Sequence, residues 1–157
     1  MNDSLFNIQT ETVFTKKALE VFKHQFQNNK VYRSFCDLLY IHPSDIKTVE
    51  EIPFLPIQFF KTHKVISSLD QIQEIFTSSG TTGTKTSKHF VTDLNLYQCS
   101  YQKGFEYFYG DIEDYVVLAI LPNYLDRKGS SLVYMVDDLI KKSKNPESGF
   151  YLDNLKE

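Results

Sequence analysis

At 157 residues, with 41% hydrophobic and 15% aromatic content, the chain is long enough and apolar enough to bury one substantial core, which excludes a disordered polypeptide. A net charge of −3 excludes a general nucleic-acid binder, and the longest apolar run, Tyr115 to Leu121, is too short to cross a bilayer. The first residues, Met1 to Leu5, lack the basic and apolar segments of a secretion signal, and Cys36 and Cys99 show no metal-ligand or disulfide spacing, so the expectation is a cytoplasmic protein with reduced, packed thiols and no metal site of its own.

From Glu11 to Asn28, Phe14, Ala18, Val21, Phe22 and Phe26 recur at helical spacing, with Asn28 and Asn29 as a stop. A second helix is expected from Val31 to Tyr40, carried by Val31, Phe35, Leu38 and Leu39. Thr48 and Glu51 have the spacing of a capping box, but Pro53 limits any helix there to a single turn. Ile52 to Lys61 is apolar and carries Pro53 and Pro56, which fits an extended, buried connector better than a ladder strand; Lys61 at its end reads as a solvated charge before it reads as a ligand contact. Residues 1–48 are therefore expected to be helical and 49–157 to form an α/β portion, in one domain or as the N-terminal fragment of a larger one.

Glu74 to Phe76 leads as a short strand into Thr77 through Lys88, where eight of twelve residues bear a hydroxyl, two are Gly and two are Lys, with no acid. Glycines let a backbone turn tightly, and successive inward N–H groups make an anion-binding concavity. The same composition also suits a flexible linker. A Walker loop is excluded by spacing, because Gly80 and Gly83 are too close and one residue separates Gly83 from Lys85. No dinucleotide-type Gly-x-Gly-x-x-Gly is present either.

Thr92 or Asp93 can cap a helix running to Tyr109, with Leu94, Tyr97, Tyr101, Phe105 and Phe108 along one side and Gly110 as terminator; Gly104 inside it costs roughly 1 kcal/mol relative to Ala. Tyr115 to Leu121 lacks period-two alternation and fits a strand covered on both faces, as in a parallel sheet. Ser130 or Ser131 can cap a helix to Lys142, followed by a turn at Asn145 to Gly149 and a strand starting at Phe150. The fold class is α/β, with a mainly parallel sheet and flanking helices. An unfinished sheet would expose a strand edge and invite pairing with a second copy.

Ser79-Gly80-Thr81-Thr82-Gly83 resembles the phosphate loop of the adenylate-forming enzymes, whose signature is Ser-Gly-Thr-Thr-Gly-x-Pro-Lys. With Ile52 to Ile57, Phe60-Lys61, Ser78 and Gly129 to Tyr134, the closer resemblance is to the acyl-protein synthetases of the LuxE family, related to phenylacetate-CoA ligases. The resemblance runs from about residue 50 to the end. It implies part of an adenylating large domain, with ATP and Mg²⁺ used to activate a carboxylic acid, fatty in this family, as an acyl-adenylate. A thiol of the protein itself, an acyl-accepting protein or CoA then takes the acyl group. Ser78, Ser79, Gly80, Thr81, Thr82 and Gly83 would cradle phosphate, with Lys85 as the nearest cation. Lys85-Thr86 stands where the family has Pro-Lys, which places the lysine one residue early and makes Lys88 a substitute. The length is about half that of such enzymes, so the resemblance also implies a missing half that holds the acyl-accepting cysteine, and Cys36 and Cys99 do not match that cysteine's place. The alternative is an inactive, truncated adenylating domain that acts as a binding or interaction module.

Overall fold

A computed structural model describes residues 5–78, 86–122 and 128–152. Its first helix, α1, spans Glu11–Asn28. Thr10 caps it, its side chain accepting from the Val13 N–H at 3.3 Å. Asn29 then serves two helices at once. Its own N–H donates to the Gln25 carbonyl at 2.8 Å, closing α1, while its side-chain oxygen accepts from the Tyr32 N–H at 3.2 Å, opening α2 at Lys30–Leu38. One buried polar residue thereby satisfies groups that both helix ends would otherwise leave unpaired. Phe22, Phe26, Tyr32 and Cys36 form the first core, with Phe35, Ile41, Ile52 and Leu55 packed on it.

The Thr48 to Glu51 segment is a turn in which one Glu51 carboxylate oxygen accepts from the N–H groups of both Lys47 and Thr48. After Pro53 the chain has no regular structure, is pinned by the Tyr32 hydroxyl donating to the Pro53 carbonyl at 2.6 Å, and then coils into the short α3, Phe59–Thr62. Phe54 and Ile57 are exposed, so the connector is not buried throughout as expected. Lys61 is exposed there.

Strands β1 (Glu74–Thr77) and β2 (Lys88–Val91) pair antiparallel, with Glu74 opposite Val91 and Thr77 opposite Lys88. Helix α4 spans Leu94–Tyr109, capped by Asp93 and ended by Gly110 at φ +89°, and a single 3-10 turn follows at Ile112–Asp114. Strand β3 is only Leu118–Ala119, α5 is Ser131–Ser143 with Ser130 as its cap, and β4 is Gly149–Phe150, parallel to β3. Ser143 and Ser148 share a 2.7 Å hydrogen bond that ties the end of α5 to the turn before β4.

The α/β class is observed, but the described residues do not form a mainly parallel sheet. They form two separate two-stranded sheets, of which only β3 with β4 is parallel. The reason is connection length: the ten residues between β1 and β2 contain no described crossover helix, and short connections join antiparallel neighbours. Nor is the Tyr115 to Leu121 segment covered on both faces. Ala119 is buried at 6% exposure, while Leu118 and Ile120 are 63% and 60% exposed.

Gly104 in α4 has open space where a side chain would begin. Gly104→Ala is therefore expected to raise unfolding stability by about 1 kcal/mol, through backbone entropy alone. Chemical denaturation checks this, and a loss of stability would show that the site is sterically closed.

Candidate functional site

The hydroxyl-rich stretch joins β1 to β2. Ser79, Gly80, Thr81, Thr82, Gly83 and Lys85 lie outside the described residues, so the structure places the neck of this segment and not its tip. At the neck, the Ser78 N–H donates to the Ser87 carbonyl at 3.2 Å, and the Ser87 N–H donates to the Ser78 hydroxyl oxygen at 3.0 Å. Ser78, a sequence-predicted phosphate ligand, thus acts first as a clasp that adds one rung beyond the β1–β2 ladder.

A second strap holds the neck from the side. The Thr77 N–H donates to the Gly129 carbonyl at 2.8 Å. Gly129 has φ +81°, and a side chain added to it would lie 3.5 Å from both the Ile75 carbonyl oxygen and the Thr77 hydroxyl. Glycine is the residue suited to that conformation beside a neighbouring backbone. One residue on, Ser130 begins α5, so the helix terminus with its partial positive charge starts beside the neck. Lys88 on β2 and Lys128 before Gly129 are both exposed, and among the described residues neither is in an ion pair. Sequence reasoning missed Lys128 as a cation at this site. The signal was its position before Gly129-Ser130, a turn followed by a helix cap.

Beneath the neck, Phe76 is buried against Tyr97 of α4 and Tyr134 of α5, with ring centroids 5.0 and 5.5 Å away. Polar bonds lock those helices together. The Tyr97 hydroxyl donates to the Ser131 carbonyl at 3.0 Å, and the Gln98 amide donates to the Tyr134 hydroxyl at 2.8 Å. One turn further, Asp138 accepts from the Tyr101 hydroxyl, the Gln102 amide and the Lys142 ammonium at 2.8, 3.0 and 2.6 Å. Burial acts to raise the Asp138 pKa, but these three donors outweigh it and hold the carboxyl below its usual range. Burial is also the main reason that the Tyr101 hydroxyl is raised, with the Asp138 bond adding to it.

Cys36 and His89 also have altered acidity. Burial pushes the Cys36 thiol up, and Cys36 is fully enclosed, which suits packing and not nucleophilic chemistry. Desolvation lowers the pKa of His89 on β2, whose ring meets Phe60 edge-on at 6.2 Å. Among the described residues no cluster of three or more His, Cys, Asp or Glu is arranged to hold a metal ion, and no helix is long and apolar enough to cross a membrane.

The family model for the acyl-protein synthetases, LuxE, matches residues 4–97, which is more than half of the chain and includes the whole β1–β2 segment. The chain belongs to the LuxE acyl-protein synthetase family. Among curated relatives, it is similar to the long-chain-fatty-acid–luciferin-component ligase of Photorhabdus luminescens, 32% identical over 79 residues that cover 50% of this chain and 67% of the relative. Ligases of the same description from Aliivibrio fischeri and Vibrio harveyi are 36% identical over 80 residues and 28% identical over 83. Those alignments cover 50% and 52% of this chain but only 20% and 22% of the relatives, so the matched stretch is about a fifth of their length. No solved structure matches the chain.

The Asp138 junction carries a pH prediction. A carboxylate whose folded pKa is lowered adds stability above its unfolded pKa of about 4, and that stability is lost as pH falls through the lower folded value. Asp138→Asn should reduce stability at neutral pH on the order of 2 kcal/mol and flatten the acid limb of the stability curve below about pH 4. Denaturation across pH tests this; an unchanged acid limb would place the controlling carboxylate elsewhere.

Proposed function

We propose that this chain supplies the phosphate-holding part of an ATP-dependent fatty-acid ligase, in which the segment from Thr77 to Lys88 grips the β- and γ-phosphates while the carboxylate is activated. The observation that carries the reading is the neck. It is clasped by Ser78 and Ser87, strapped to Gly129, and flanked by Lys88, Lys128 and the N-terminus of α5, with no acidic residue in the segment to repel a polyphosphate. Ser79, Gly80, Thr81, Thr82 and Gly83 supply N–H and hydroxyl donors, and Lys85 a further cation.

The residues suit the charge movement of such a reaction. ATP as substrate converts a poorly electrophilic carboxylate into an acyl-adenylate, and negative charge passes to pyrophosphate. Donors already aimed at that charge lower the barrier without reorganising. A rigid base to the segment matters because a donor displaced by an ångström loses much of its effect. Mg²⁺ on the phosphates would supply further positive charge to the departing pyrophosphate. The relatives' description as ligases of long-chain fatty acids and a luciferin component supports a fatty acyl group and a protein acceptor. Neither cysteine is proposed as the acyl-accepting thiol, and Cys36 is enclosed. An interaction module built on an inactive adenylating domain is the second reading, and the same experiment separates the two.

Carboxylate-dependent exchange of labelled pyrophosphate into ATP is the test, run with a panel of fatty acids on this chain and on any longer product of the same gene. Exchange is expected to require a fatty acid. Replacing Thr81 and Thr82 together by Val should lower it about a hundredfold or more, in keeping with the ~2.7–4 kcal/mol that single transition-state donors contribute elsewhere. Absence of exchange from every form with every acid would contradict the ligase reading and favour the module.

A further inference from the structure

A cavity of about 630 Å³ lies between α1, the proline-containing connector and β2. Its walls include Ala18 and Val21 of α1, Ile52 and Phe54 of the connector, Val65 after α3, and Phe90 of β2. We propose that this cavity is the binding site for the hydrocarbon chain of a long-chain fatty acid. The proposal rests on the fatty-acid reading above and gives that substrate a place in the chain.

Three features support it. The volume falls within the ~300–1,000 Å³ typical of small-molecule sites. Several polar side chains around the cavity are already engaged within the protein: Asn29 with the Gln25 side chain and the Tyr32 N–H, the Tyr32 hydroxyl with the Pro53 carbonyl, and Lys17 with Glu20. That leaves Ser67, His89 and Thr92 as the other polar side chains of a mainly apolar lining. Among the described residues no buried side-chain nitrogen or oxygen lacks a partner. A sugar or nucleotide base would find few partners for the hydrogen bonds it gives up to water here, whereas an alkyl chain has none to lose. Meanwhile Phe14, Val21 and Phe54, all lining the cavity, are 48%, 43% and 74% exposed, so an occupant would cover apolar surface that the fold leaves wet.

The third feature is position. His89 and Phe90 belong to the cavity wall and to β2, the strand that leaves the hydroxyl-rich segment. His89 is two residues past Ser87 of the clasp, about 7 Å along an extended strand. A fatty acid lying from α1 toward β2 thus brings its carboxylate to the side of the neck where the nucleotide would be held.

The test titrates the 157-residue chain with decanoate, dodecanoate and tetradecanoate, without nucleotide and below micelle formation, using displacement of a fluorescent fatty acid. Each step of two methylenes should tighten binding about tenfold. Ala18→Trp and Val21→Trp, which fill the cavity, should weaken binding at least tenfold while leaving ATP binding unchanged. A diazirine-bearing fatty acid should label α1 and the connector in the unmutated chain, which keeps the test decisive if a variant fails to fold. Lack of saturable binding, affinity independent of chain length, or label confined to the exposed aromatic end of α4 at Tyr107 and Phe108 would overturn the proposal. Fatty-acid binding in the cavity without any exchange activity would instead count against the ligase reading and leave the cavity assignment standing.

Discussion

The packing of one phenylalanine determines how the hydroxyl-rich segment is held. Phe76 sits at the junction of β1, α4 and α5, in edge or tilted contact with Tyr97 and Tyr134. Burying a side chain of that size stabilises by about 2 kcal/mol, and each good aromatic pair adds about 0.5–1.5 kcal/mol. The next residue, Thr77, donates to Gly129, and the one after it closes the clasp with Ser87. Three consecutive residues therefore fix β1 from beneath, from the side and across the ladder. The flexible composition of the segment is tolerable because its base is rigid.

Much of the architecture was legible because it depends on local chemistry. The Asn29 stop, the Asp93 and Ser130 caps and the Gly110 terminator all follow from how helix ends satisfy their backbone groups, and they stand where expected. Of the α1 stripe, Phe22 and Phe26 are buried, while Phe14 and Val21 are exposed. What was not legible depends on partners distant in sequence. Tyr115 to Leu121 reads as a doubly covered strand, yet two residues pair and alternate ones stay exposed, since hydrophobicity does not specify which neighbour covers a face. The antiparallel return of β2 was hidden for a similar reason: its direction is set by pairing with β1.

The candidate site divides along the same line. The motif from Ser79 to Gly83 stands out by residue type alone, and it lies outside the described residues. The roles of Ser78, Ser87, Gly129 and Lys128 emerge only from the fold. Ser78 closes the clasp with Ser87, and Gly129 is the strap that brings the α5 terminus to the neck. The cavity is likewise invisible in sequence, because its walls come from α1, the connector and β2, which are separated by tens of residues.

The central claim is that a polyphosphate binds between β1 and β2. Amide chemical shifts of the ¹⁵N-labelled chain, followed during titration with ATP and Mg²⁺, test it most directly. The account predicts saturable shifts at Ser79 to Gly83, Ser87 and Ser131, with α1 and α2 unmoved. Saturable shifts centred on another surface, or none at all, would contradict it.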